Sequence, residues 1–294
     1  MMTGCMLECR CLQPPCARLV LSGNFSKVAK DSAEFALAYT ALTARHPFIK
    51  KLPDDHHFYV VRLDLDGIWL IDMYGGPAII APSAYFGASM PGFQEPHRPR
   101  ALTTLPTPPN VPSKPPPVYK KAETARWMAR SLTYGFLATT STRSDGSTPG
   151  DAFGNPYGIA EVDGTPYVYG TDMDASFADV FASARGSRRA SIALTEASLP
   201  GPTLRACKIA HGSNGDPENP PCARLVLSGQ MAKLAPNSTE EVRAKTALFA
   251  RHPSYAQYPS GHGFYVAKLE LDGIWLIDIY GGAAIIDPSD YFAA

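Results

Sequence analysis

The residues whose types and spacing could do chemistry here are six cysteines, seven histidines and two Asn-x-Ser/Thr triplets. Cys5, Cys9, Cys11 and Cys16 crowd the amino terminus. This cluster lacks paired C-x-x-C spacing and accompanying histidines, so no metal site is expected and the segment reads as unstructured. Cys207 and Cys222 bracket a loop that closes with Asp216-Pro217-Glu218-Asn219-Pro220. Two readings of that pair compete. A disulfide would stabilise the fold by about 3 kcal/mol in an oxidising compartment, and the alternative is two reduced thiols, one of them in a strand.

His46 and His252 each stand in Arg-His-Pro at the expected end of a helix, where an imidazolium interacts favourably with the helix dipole. His56, His57 and His262 stand at strand starts beside Asp54, Asp55 or Gly261 and read as surface residues. No nucleophile elbow, Walker loop or zinc-protease motif occurs, so no catalytic residue is assigned. The triplets Asn24-Phe25-Ser26 and Asn237-Ser238-Thr239 both follow a Leu-Ser-Gly strand, on expected surface turns, and would accept glycans in a secreted protein.

The elements that must position these residues come from a repeat. Sliding the sequence by 206 residues superposes residues 14–86 on 220–292 without a gap, with about six positions in ten identical. Shared blocks include Pro-Cys-Ala-Arg-Leu-Val-Leu-Ser-Gly, Arg-His-Pro and Asp-Gly-Ile-Trp-Leu-Ile-Asp. Within the second copy, periodicity predicts a strand over 223–229 and a helix over 239–251 with Val242, Thr246 and Phe249 on one side. Strands over 264–271 and 274–280 are expected to form a hairpin turned by Asp272-Gly273, with Trp275 in the core.

Between the copies, residues 90–119 carry ten prolines and few large apolar residues, a composition suited to an extended spacer. Beyond it a helix is expected over 122–132, with Ala125, Met128 and Leu132 on one face, and a strand over 135–140. A hairpin of 157–162 with 166–170 turns on Asp163-Gly164; Asp174 caps a short helix to about residue 183, and 190–194 is a strand. This gives three segments: 14–86 as a partial repeat, 87–119 as linker, and 120–292 as a complete domain. The complete domain has about six strands and three helices joined by tight turns, which suggests a small antiparallel barrel.

Twenty-seven basic residues balance 27 acidic ones with no dense cationic cluster, which argues against nucleic acid or an anionic membrane as partner. The longest apolar runs are strand-length, so no membrane span is expected. Residues 1–13 lack the apolar core of a secretory signal.

Ala125-Arg126-Trp127, Phe153-Gly154-Asn155-Pro156-Tyr157, the loop ending in Cys222, Leu227-Ser228-Gly229, Arg251-His252-Pro253, Ile274-Trp275-Leu276 and Gly281-Gly282 together resemble the CREG family of secreted and endolysosomal glycoproteins. That family's domain is related to the FMN-binding split barrel of pyridoxamine 5′-phosphate oxidase. The resemblance covers 120–292 in full, and 14–86 resemble only its carboxyl-terminal half. It implies a mainly β fold with flanking helices, a six-stranded antiparallel split barrel, and a homodimer. It further implies a non-catalytic glycoprotein that binds a receptor or other protein without flavin. Asn237 falls near a glycosylated position of the family.

Flavin-using relatives hold the FMN phosphate with a Thr at a strand end and a following Ser-x-Lys, because a dianion needs several donors and a fixed positive charge. Thr171 and Ser176 take those places, but Ala178 stands where the lysine would be, among Asp172, Asp174 and Asp179. Arg185, Arg188 and Arg189 lie nearby in sequence. If flavin is bound, Thr171, Ser176 and Arg188 would hold it, and the competing function is an FMN-dependent oxidoreductase. Secretion or an endolysosomal location is expected from the resemblance and cytoplasmic residence from the missing signal; an upstream start restoring signal and missing strands would reconcile them. Otherwise the half domain must dock, and it is expected to pack on the second domain in place of a dimer partner.

Overall fold

The computed structural model describes residues 16–72, 76–89, 114–182, 187–199, 207, 217–218 and 221–294. Cys5, Cys9, Cys11, Arg185 and most of the Pro-rich spacer lie outside the described residues.

The chain opens with β1 (Arg18–Lys27), α1 (Ala33–Arg45), β2 (Val61–Ile71), β3 (Ala78–Ile79) and α2 (Pro82–Gly87). After the spacer come α3 (Lys121–Ser131), β4 (Tyr134–Thr140), β5 (Ala152–Val162) and β6 (Thr165–Gly170). Next are the single turn α4 (Ala175–Phe177), continued as a π-helical turn over Ala178–Ala182, and β7 (Arg189–Thr195). The chain ends with β8 (Arg224–Lys233), α5 (Thr239–Arg251), β9 (Tyr265–Ile277), β10 (Ala284–Ile286) and α6 (Pro288–Ala293).

Strand pairing follows the order β10-β9-β6-β5-β4-β7-β8, and β8 pairs again with β9, closing a six-stranded antiparallel barrel to which β10 adds a short seventh strand. Closure leaves these six strands no open edge. Alternate residues point inward: Leu225, Leu227, Ile274 and Leu276 join Leu137, Ile159 and Ile192 in one core. Helix α3 seals it with Ala125, Met128 and Leu132, as its periodicity predicts, and α6 adds the fully buried Tyr291. On the outside of the barrel α5 packs Ala244 and Leu248 against Ala160, Tyr167 and Val266. This differs in part from the expected face: Phe249 packs partly buried against the same cluster, but Val242 and Thr246 are exposed, because the i, i+4 pair of small and large aliphatics fits the β5–β6 surface.

Asp163-Gly164 turns β5 into β6 with both φ angles positive, 52° and 91°, as a type I′ hairpin requires. Asp272-Gly273 does not turn the chain. β9 runs straight through it, and neither residue has a positive φ. Ser228 pairs with Gly273 and Gly229 with Leu271, so Asp272 is the extra residue of a β-bulge. Gly229 is required opposite, since a Cβ there would lie 1.9 Å from the Glu270 carbonyl oxygen. β2 passes through Asp66-Gly67 in the same way, with Gly23 opposite.

β1, β2 and β3 form a separate three-stranded sheet. Each of its elements matches one of the last five at an offset of 206 residues, but no barrel backs them. Leu42, the counterpart of buried Leu248, is exposed, and so is Leu37. The sheet instead meets the barrel through its other face. Val20 and Trp69 enclose Phe153 of β5, with Ile71 and Ala175 packed around them.

Candidate functional site

The turn after β6 is where the resemblance would place a flavin phosphate if one were bound. Thr171 ends the strand, and its hydroxyl donates to the His262 carbonyl while accepting from the Met173 amide at 3.3 Å. Asp174 caps α4, its Oδ1 accepting from the amides of Ser176 (3.0 Å) and Phe177 (3.4 Å). Ser176 is fully buried beneath this turn. Arg188 is exposed just before β7, and among the described residues no hydrogen bond or ion pair joins it to Thr171 or Ser176. Its neighbour Arg189 pairs with Asp272.

Carboxylates dominate what remains. Asp172 accepts from Lys233 Nζ at 2.8 Å and from the Tyr265 hydroxyl. Burial alone would raise the Asp172 pKa, but these two donors outweigh it and hold the carboxyl below its ordinary range. Lys233 lies 4.2 Å from the Tyr265 ring centre and 5.0 Å from that of Phe181. Burial, and then the Asp172 carboxylate, push the Tyr265 phenol above its ordinary value. Asp174 also accepts from the Tyr157 hydroxyl, and burial raises both groups. Asn155 donates to Tyr157 at 3.1 Å and accepts from Arg18 Nη1 at 3.5 Å, so a side chain of the first copy ends this chain of bonds. Asp179 faces elsewhere: it is buried and paired with Arg143, which lies over the Phe153 ring.

The donor set does not fit a phosphate dianion. Among the described residues the ammonium beside the turn, Lys233, is paired with Asp172, Ser176 is enclosed, and Asp174 adds a further acceptor. Sequence reasoning missed Lys233, Tyr265, Tyr157 and Arg18. The motif from Phe153 to Tyr157 flagged the strand, but no short-range pattern joins residue 18 to residue 155.

His252 corrects another expectation. It closes α5, yet burial lowers its pKa to about 4, so the ring is neutral near pH 7 and no imidazolium meets the helix dipole. Its ring stacks on Tyr255 at 4.9 Å, and Nε2 donates to the Ile159 carbonyl at 3.3 Å. Trp275 is likewise not in the core: it lies half-buried on the outer face of β9, between inward-pointing Ile274 and Leu276.

Cys207 and Cys222 are joined by a disulfide with a Cα–Cα distance of 4.3 Å. Cys16, the counterpart of Cys222, is also disulfide-bonded. Asn237 is exposed in a left-handed conformation (φ 61°) immediately before Ser238, the cap of α5. Asn24 is exposed but lies inside β1, paired with Asp64, because the strand continues past the Gly23 bulge where a turn was expected. Among the described residues no group of three His, Cys, Asp or Glu side chains could hold a metal, and no helix is long and apolar enough to cross a membrane.

Strand order β9-β6-β5-β4-β7-β8 with helices on its flanks defines a closed, six-stranded antiparallel split-barrel-like fold. The family model described as CREG, beta-barrel matches residues 6–87 and 116–293. The chain belongs to the CREG beta-barrel family. It is 32% identical to Protein CREG1 of Gallus gallus over 184 residues, covering 60% of this chain and 88% of that one. It is 34% identical to Protein CREG2 of Homo sapiens over 187 residues, covering 62% and 59% respectively. Among solved structures, a heme binding protein from Mycobacterium smegmatis aligns with a TM-score of 0.46 at 22% identity, over 61% of this chain and 62% of that one.

Proposed function

We propose that this chain is a non-catalytic, CREG-like glycoprotein that acts by binding another protein, in a secreted or endolysosomal setting. In this reading residues 14–86 are a partial repeat, 87–119 a linker and 120–292 the complete domain. The observation that carries it is the turn after β6, where Asp172 and Asp174 are the groups presented and Lys233 is already paired. A phosphate brought there would meet two carboxylates, with Lys233 already paired to Asp172 and Arg18 held on the far side of Asn155. The Cys207–Cys222 disulfide supports an oxidising compartment. Exposed Asn237, on a turn ahead of a capped helix, supports glycan attachment at that position, and Asn24 is the second acceptor.

The competing reading is an FMN-dependent oxidoreductase using Thr171, Ser176 and Arg188. A visible absorption spectrum of the protein purified from secreting animal cells, followed by titration with FMN, tests the choice. The expected result is a colourless protein that leaves FMN fluorescence unquenched. A stoichiometric flavin chromophore would overturn the binding-protein reading. Glycosidase digestion of the same sample reads the second half of the proposal: loss of mass is expected, and an unchanged mass removes the glycoprotein assignment.

A further inference from the structure

The first copy carries what the second copy uses to close the barrel. β1 and β2 pair residue for residue as β8 and β9 do, with the bulge in the same place: Gly23 stands opposite Leu65 as Gly229 stands opposite Leu271. Ten buried residues of the second copy enter the barrel core, and eight recur unchanged 206 positions earlier; the exceptions are Met231, replaced by Phe25, and Ala267, replaced by Val61. The polar fastenings recur as well. Arg251 donates to the Leu132 carbonyl at 3.0 Å, His252 to that of Ile159 at 3.3 Å, and the Tyr291 hydroxyl to that of Gly164 at 3.0 Å. Arg45, His46 and Tyr85 hold the equivalent positions.

In the first copy these inward residues meet no barrel wall. Leu19 is 49% exposed, Phe25 and Val61 are exposed, and among the described residues β1 has only β2 beside it, whereas β8 lies between β7 and β9. An apolar face and a strand edge are thus open on a hairpin whose complement, the inner side of α3 and β4–β7, is present in the same chain. Connectivity permits their union. Arg126 of α3 donates to the Phe292 carbonyl at 3.3 Å, so the end of α6 lies beside the helix that leads into β4. Phe86 is the counterpart of Phe292, and residues 87–119 reach from it to α3 with length to spare. A first copy inserted in the barrel makes a circular permutant, its second half ahead of its first, an arrangement that adjacent chain ends allow.

We propose that the first copy is an alternative second half of the barrel, able to displace the second copy from β4–β7 of the same chain. Two features favour the second copy. Phe249, Tyr255 and Tyr258 pack round the Tyr169 ring at 5.2, 5.5 and 6.3 Å between centres, where the first copy has Thr43, Ile49 and Leu52. The Cys207–Cys222 bond also ties the second copy to the segment after β7. Cys16 is the counterpart of Cys222, so the exchange brings it to Cys207. Cys16 has a disulfide of its own, which two glutathione thiols reduce as they become glutathione disulfide. The Cys16 thiolate then attacks Cys207, the Cys207–Cys222 bond breaks, and Cys222 leaves as a thiolate. The exchange needs neither flavin nor a partner protein, so it stands apart from the function proposed above.

The full chain, equilibrated in a glutathione redox buffer and quenched in acid, is tested by mass-spectrometric mapping of the peptide bonded to Cys207. The unaltered chain should show Cys222. Thr43→Phe, Ile49→Tyr and Leu52→Tyr give the first copy the missing rings, and Phe249→Thr, Tyr255→Ile and Tyr258→Leu take them from the second. A chain with all six substitutions should show Cys16 as the major partner of Cys207. Leu21→Asp added to the six, a charge at the place where Leu227 is buried, should return Cys222. A second readout uses no cysteine. Leu227→Asp alone should keep the amides of β4 and β5 protected from hydrogen exchange, because the first copy takes over, whereas Leu21→Asp with Leu227→Asp should lose that protection. Cys207 bonded only to Cys222 in the chain with six substitutions, a Cys16–Cys207 bond that survives Leu21→Asp, or protection lost as fully in Leu227→Asp as in the double variant would each overturn the proposal.

Discussion

Acidification should cost this protein stability through one histidine. His252 is half-buried where α5 meets β5, stacked on Tyr255 and donating Nε2–H to the Ile159 carbonyl. Its folded pKa is lowered from 6.5 to about 4, first by burial and then by neighbouring Arg251, against the opposing pull of that carbonyl. Because the folded value lies below the unfolded one, the unfolded chain binds the extra proton. The stability is fully present above about pH 6.5 and is lost as pH falls toward 4. The difference of about 2.5 units corresponds to roughly 3.4 kcal/mol in full, of which about 2 kcal/mol is already lost at pH 5. Half-buried Asp174, whose pKa is raised by its desolvation, works in the opposite direction, gaining stability as pH falls. The contribution of His252 is therefore read as a difference. Urea unfolding at pH 7.5 and pH 5 is compared for the native chain and for His252→Gln, whose amide can still donate to the Ile159 carbonyl. The native chain should lose about 2 kcal/mol more than the variant between the two pH values. Equal losses would refute the neutral-histidine argument, whatever the variant's absolute stability.

Two further outcomes follow from the packing. Cys222→Ala, or reduction of the Cys207–Cys222 bond across its separation of 15 residues, should lower stability by about 3 kcal/mol in a urea titration; an unchanged midpoint would mean the loop is constrained without the bond. Leu276→Ala should cost about 2 to 5 kcal/mol because Leu276 is fully buried in the barrel, and Trp275→Ala, on the outer face, should cost less despite removing more atoms. Reversal of that order in thermal unfolding would invert the assignment of faces along β9.

Much of the barrel was legible where local chemistry decides local structure. Helix 239–251 was read to the residue from its periodicity and the His-Pro stop, and in the structure Ser238 caps its start. The hairpin on Asp163-Gly164 was read because its flanking strands alternate and the pair can take two positive φ angles. The same dipeptide misled at Asp272-Gly273. A hairpin turn and a bulged continuous strand place the same residue types at the same spacing, and only Gly229, 44 positions earlier, decides between them by admitting the Glu270 carbonyl. The candidate site was legible only in part for a related reason. Thr171, Asp172, Asp174 and Ser176 are neighbours in sequence, whereas Lys233, Tyr265 and Arg18 reach them through barrel closure and through docking of the first copy.

The two copies separate what a sequence encodes from what its surroundings decide. Leu19 and Leu225 stand in the same nonapeptide in the same kind of strand, yet Leu19 is 49% exposed and Leu225 is fully buried. Trp69 and Trp275 differ in the opposite sense: Trp69 is buried and Trp275 half-open. Alternation along a strand fixes only that leucine and tryptophan point to opposite faces. Which face becomes interior depends on what lies across from it. For the second copy that is β4–β7, which enclose the leucine face. For the first copy it is Phe153 on the barrel, which covers the tryptophan face. A side chain's periodicity is thus a local property, whereas its burial is a property of the whole chain. The duplicated segment keeps its element order in both places because turns, caps and the glycine-admitting bulge are local, and it exchanges inside for outside because nothing local opposes the exchange.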